Sequence, residues 1–158
     1  MANEIKDNIT VASTALTITL ASLASSTSGV GRQSTIVDNT TDLCQDVIVY
    51  VKITQGTNPT GNRGVYVYLI RDDNNGTNHR SDGAGASDAG LTVQNAELIG
   101  TMRNKASPTT GDVLYGEFRV NRPGPKWGIA IVHDTAVNLD STGGNHWARY
   151  VGLNPEVQ

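Results

Sequence analysis

The residues of this chain that could do chemistry crowd towards its C-terminus. Asp140, Ser141, His146, Trp147 and Arg149 all fall within "NLDSTGGNHWARYVGL", residues 138–153, and His133 and Asp134 lie just upstream in "VHDT". Serine, histidine and aspartate are the parts of a nucleophilic hydrolase. The imidazole takes the hydroxyl proton, and the carboxylate holds the imidazole in the right tautomer. The context that accompanies such chemistry is missing, since no GxSxG elbow occurs. The same stretch also reads as structure: "STGGN" is a turn whose glycines reach φ > 0, and "HWARYVGL" is a strand that follows it.

Other chemistries fail on spacing. "GGNH" resembles one block of a hydrolase family that pairs it with a serine in a Gly-Asp-Ser block. No Gly-Asp-Ser occurs here, and no capped helical repeat supports that family's α/β fold. His79, His133 and His146 are scattered, Cys44 stands alone and HExxH is absent, so no zinc pattern forms. The stretch "RDDNNGTNHRSDGAGASDAG", residues 71–90, is rich in calcium-type oxygens, Asp72, Asp73, Asp82 and Asp88 among them. With Gly76 at the sixth place of an EF-hand loop, Asp73, Asn75 and Asp82 fit. Arg71 then takes the first place, where a carboxylate is needed, and no helices flank the loop. "SDGAGASDAG" is glycine-rich but acidic and leads into no helix, so it is no phosphate loop. Cys44 cannot form an internal disulfide and fits a small apolar residue near a core. These patterns point to no catalytic residue, no metal and no cofactor. For sugar binding, Trp127 alternates in phase with Ile129 and Ile131 and belongs to a core, which leaves Trp147 with Tyr150 as the candidate platform.

The elements that must position these residues are strands. Period two runs through "ALTITLASL" (Leu16, Ile18, Leu20 on one face), "DVIVYVKIT" (Val47, Val49, Val51, Ile53) and "GVYVYLIR" (Val65, Val67, Leu69). It continues through "DVLYGEFRVN" (Leu114, Phe118, Val120) and "KWGIAIVH". Weaker strands are expected at residues 32–38, 96–103 and 145–153. Gly/Asn/Asp/Pro/Thr clusters separate them. The expected fold class is therefore all-β: an antiparallel β-sandwich, jelly-roll-like, of about eight strands. Residues 1–8 are expected as an N-terminal arm, and residues 9–158 as one sandwich domain with a long loop at 71–90. In the last strand, alternation sets Trp147, Arg149 and Val151 against His146, Ala148 and Tyr150. Neither face is cleanly apolar, as at an interface or an edge.

Composition limits the partners. A chain of 158 residues fits one domain and can bury roughly 70% of its unfolded surface without a staple. A net charge of -3 with 17% charged residues argues against nucleic acid and against an anionic membrane surface. "TALTITLASLASS" superficially suits a signal peptide, but Glu4 and Asp7 against Lys6 make no positive n-region, and Thr17 and Thr19 interrupt the apolar run. No stretch approaches the ~20 apolar residues of a membrane-spanning helix.

The segments "MANEIK", "TALTITLASLASS", "GRQSTIVDNTT", "DVIVYVKITQGTNPTGNRGVYVYLI" and "KWGIAIVHDTAVNLDSTGGNHWARYVGL" together resemble small virion structural proteins of tailed bacteriophages and prophages. Within these the chain is similar to jelly-roll capsid decoration (cement) proteins. The resemblance covers nearly the whole chain, and "NLDSTGGNHWARYVG" is its most distinctive part. It implies a virion structural protein with no catalytic residues; head or tail does not follow from the resemblance, and the leading expectation is a protein made in the host cytoplasm and placed on the outer surface of the phage capsid. The implied partner is the major capsid protein of the same virion, with self-association as a dimer or trimer. Candidate contacts are Asn3, Glu4, Ile5 and Lys6 in the arm, Asp72, Asp73, Arg80 and Asp82 in the loop, and Trp147, Arg149 and Tyr150 in the last strand. The alternative function is a tail or fibre accessory that binds host-surface glycans.

Overall fold

The computed structural model describes residues 5–72, 87–91 and 96–157. Its strands are β1 (Ile5–Leu16), β2 (Val30–Gln33), β3 (Val37–Asp38), β4 (Asp46–Thr54), β5 (Gly64–Asp72), β6 (Ala89–Gly90), β7 (Ala96–Arg103), β8 (Val113–Asn121), β9 (Lys126–His133) and β10 (Trp147–Val157), with one 3₁₀ turn at Gly143–Asn145. One sheet has the order β1-β10-β4-β8, and the other runs β6-β2-β9-β5-β7. We call them the first and second sheets. β3 also pairs with β9, further along the edge that β2 occupies, so β2 and β3 act as one interrupted strand. Counted so, and with the two-residue β6 set aside, each sheet has four principal strands, all antiparallel. The chain crosses repeatedly from one sheet to the other. This is the eight-stranded jelly-roll order, and it bears out the all-β sandwich expected from the alternation.

The inner faces follow the period-two pattern. Val47, Val49, Val51 and Ile53 of β4 and Val65, Val67 and Leu69 of β5 are all essentially sealed from solvent. Trp127, Ile129 and Ile131 of β9 join them, and Tyr150 meets the Trp127 ring edge-on, with centroids 5.1 Å apart. Each such aliphatic side chain stabilises the fold by roughly 1.5–3 kcal/mol when fully buried. Between β7 and β8, at the margin of the sandwich, the Phe118 ring lies over Gly100 and Gly116, where any Cβ would collide with it. The glycines there provide the room that an aromatic lid needs.

Four expectations change. The alternation at residues 15–23 is not a strand beyond Leu16. Ile18, Leu20 and Leu23 still pack on the core, but the Thr19 and Ala21 carbonyls accept from the buried Arg32 guanidinium (3.1 and 2.8 Å) instead of from a neighbouring strand. The strand expected at 32–38 is broken because the Ser34 hydroxyl takes up the Ile129 N–H at 3.0 Å. Residues 5–8, expected in a free arm, are the first residues of β1 and pair with residues 154–157. Two register shifts in β1 disrupt its alternation, which hid it. The long loop is trimmed at both ends, by β5 reaching Asp72 and by β6. Its residues 73–86, with Asp73, Arg80 and Asp82, lie outside the described residues, as do Asn3 and Glu4.

The outer face of the second sheet carries a second small core. Ile70, Leu91, Ala130 and Val132 are buried there, with Tyr68, Ala89 and Ala96 packed against them. No helix among the described residues is long and apolar enough to cross a membrane.

Candidate interaction surface

The C-terminal cluster is a turn and not a catalytic relay. His146 is buried, and both ring nitrogens are held by backbone groups. Nε2 lies 2.9 Å from the Asp140 carbonyl oxygen, and Nδ1 accepts from the Thr54 N–H at 3.3 Å. A carbonyl only accepts, so Nε2 carries the proton and Nδ1 is the lone-pair nitrogen. The Asp140 carboxylate instead accepts from the Thr142 N–H (2.8 Å) and the Asn145 amide (3.0 Å), which hold its pKa below the ordinary value. Asp140 thus shapes the turn that launches β10. His133 is likewise enclosed, between the Leu23 carbonyl and the Thr135 hydroxyl, both 2.9 Å away, and burial lowers its pKa. No cluster of metal-binding side chains occurs among the described residues. Asp88, one of the calcium-type oxygens, pairs with Arg32 at 2.5 Å.

The alternation in β10 is resolved by the sandwich. His146, Ala148 and Tyr150 point inward and are buried. Tyr150 is therefore a core residue, which overturns its assignment as a partner contact and separates it from Trp147, on the opposite face. Asp72 is also buried, at 3% exposure, and presents no contact surface. Trp147 and Arg149 face outward, with the guanidinium stacked 5.4 Å from the indole centroid. The neighbouring strands add Tyr115, whose ring centroid is 6.3 Å from that of Trp147, and Tyr50, which stands opposite Arg149. Trp147, Arg149, Tyr50, Val151 and Ser13 line a shallow hollow of about 370 Å³ on this outer face of the first sheet.

The same sheet continues past its own body. β4 pairs with β10 only from Lys52↔Trp147 to Asp46↔Leu153. Beyond that, Asn154–Val157 pair with β1 alone among the described residues, from Ile5↔Val157 to Asn8↔Asn154. The result is a two-stranded ribbon. Ile5 on the ribbon and Ile9 at its root, opposite Leu153 where β4 still pairs, lie on one side by the strand period and are 73% and 62% exposed. Asp7, between them, reaches Arg119 on β8 at 3.1 Å, and Arg119 also grips Asp46 at 2.6 Å. These hydrogen bonds, the one to Asp46 foremost, raise the pKa of Arg119. Lys6 stands opposite Glu156 in the ladder. Asn154 ties the ribbon to the β3–β4 connection, its Oδ1 accepting from the Gln45 N–H at 2.8 Å. That connection exposes Leu43, a leucine 67% exposed at φ 50°. A left-handed, solvent-facing leucine is strained by about 1–2 kcal/mol.

Of the expected contacts, then, Ile5, Lys6, Trp147 and Arg149 share the first sheet and its ribbon. Sequence alone missed Ile9, Leu43, Asp7 and Arg119. Tyr50 and Tyr115 were legible as outward-facing from their phase, though not as neighbours of Trp147. No protein-family model, curated protein or solved structure matches this chain.

Proposed function

We propose that this chain is a virion structural protein: a capsid decoration protein that binds the outer surface of an assembled phage head and stabilises it through protein–protein contacts. The carrying observation is the ribbon of Ile5–Asn8 and Asn154–Val157, with Ile5 on it and Ile9 at its root both in solvent. An isolated two-stranded ribbon is marginally stable in water, and large exposed isoleucines favour a covering partner. Covering both side chains, at their present exposure, would contribute about 2–4 kcal/mol per copy. A partner present only in the assembled shell turns that gain into shell stability by linkage. Many copies, or a dimer or trimer of this chain, multiply it through effective concentration. The jelly-roll scaffold and the resemblance to decoration proteins support the same reading, with the major capsid protein of the same virion as partner.

The experiment compares particles with and without the protein. Complete particles are expected to melt at a higher temperature, and Ile9→Asp, which puts a charge at the root of the ribbon, is expected to be lost from particles while remaining folded. Equal melting temperatures, or full retention of Ile9→Asp, would overturn the proposal.

A further inference from the structure

The outer face of the second sheet holds a groove of about 420 Å³ between the Ser26–Gly29 turn and β5. We propose that this groove is a saccharide-binding site in which a pyranose ring stacks on Tyr66. The volume falls in the usual range of small-ligand clefts, about 300–1,000 Å³. Tyr66 lies flat along its own strand: a Cβ at Gly64 would stand 2.9 Å from its Cζ and 3.0 Å from its hydroxyl. Only glycine at that position lets the ring rest on the backbone, with its other face turned away from the strand. Such an aromatic face suits the flat C–H face of a sugar, which is apolar with hydroxyls at its rim.

The rim chemistry is in place beside the ring. The Gly64 N–H donates to Asp134 Oδ1 at 2.7 Å, which fixes the carboxylate at the groove. The other oxygen, Oδ2, has Arg63 only at 3.7 Å and keeps acceptor capacity for a sugar hydroxyl. Neither the Tyr66 nor the Tyr68 hydroxyl has a hydrogen-bond partner among the described residues, although Tyr68 is packed against the buried cluster of this face. On the opposite wall, Ser26 accepts from the Ser28 and Val30 N–H groups, so the turn is preorganised. A peptide adding as a strand is disfavoured, because β5 is flanked on both sides by β9 and β7. The groove and the ribbon-bearing face belong to different sheets, so this inference is independent of the proposed capsid contact.

The test is a glycan array followed by saturation-transfer NMR with methyl pyranosides, using the full chain. At least one pyranoside is expected to bind with a dissociation constant of about 1 mM. Tyr66→Ala is expected to weaken it at least about tenfold, Tyr66→Phe to keep most of it, and Tyr115→Ala, on the other sheet, to leave it unchanged. Thermal unfolding of each variant reports whether it is folded. Absence of any bound glycan, binding that survives in folded Tyr66→Ala, or a groove that captures a peptide instead would overturn the proposal.

Discussion

Adding one methyl group at Gly100 should destabilise the whole sandwich through a ring that belongs to another strand. A Cβ on Gly100 would lie 2.1 Å from both Cδ1 and Cε1 of Phe118. A relaxed carbon–carbon contact is about 3.5–4.0 Å, so the ring must retreat by roughly 1.5 Å. Its opposite edge is already held over Gly116, whose own Cβ position is 2.5 Å from Cζ and 2.8 Å from the Met102 sulfur. The ring must therefore lift out of the β7–β8 seam. Overpacking of this kind costs about 1–3 kcal/mol, and removing a glycine from a strand returns about 0.5–1 kcal/mol. The expected net loss is about 0–2.5 kcal/mol, with about 1 kcal/mol at the centre of these ranges. In a domain of this size that lowers the melting temperature by roughly 2–8 °C. Urea unfolding of Gly100→Ala, Phe118→Ala and the double variant measures it. In the Phe118→Ala background the alanine at position 100 should stabilise by about 0.5–1 kcal/mol, giving a coupling energy of about 1–3 kcal/mol. Gly143→Ala, with no atom within 4 Å of the added Cβ, is the control. Strictly additive costs in the Gly100→Ala, Phe118→Ala pair would refute the reasoning.

Four further outcomes are expected. The buried His133 has a pKa below its ordinary 6.5, so the unfolded chain binds a proton there that the folded chain does not. Stability should be full above about pH 6.5 and fall as the pH drops below it; His133→Gln should flatten that slope, and a flat wild-type profile would contradict the assignment. A separate acid loss should come lower, because Lys105 and Thr109 hold Asp112 down to about 2 and its contribution disappears only as the pH falls below about 4. Cys44 is 4% exposed and burial raises its pKa, so a thiol reagent should label it only at the rate of unfolding; fast labelling of the native chain would place it at the surface. Arg119→Gln should release Asp7 and speed amide exchange in residues 5–9 while the exchange of β4 and β9 stays unchanged; unchanged exchange in the ribbon would show that Arg119 does not hold it.

The sequence by itself determined the layers. Alternation in β4, β5, β8 and β9 depends only on the strand period, so the inward residues and the sandwich class were legible without coordinates. The phase within β10 was legible as well, with Trp147 and Arg149 on one face and Tyr150 on the other. Which face was the core was not legible, because His146 and Tyr150 look no more apolar than Trp147 and Val151. The tertiary structure decided it: Trp127 offers Tyr150 an edge-on contact, and backbone groups take both nitrogens of His146. The tertiary structure also turned the supposed arm into half of a ribbon, since strand pairing between residues 5 and 157 is a contact across the whole chain that no local pattern encodes. The apparent catalytic grouping dissolved for the same reason. Residue types near one another in sequence propose a relay, but only the fold says where each nitrogen and oxygen finds its partner.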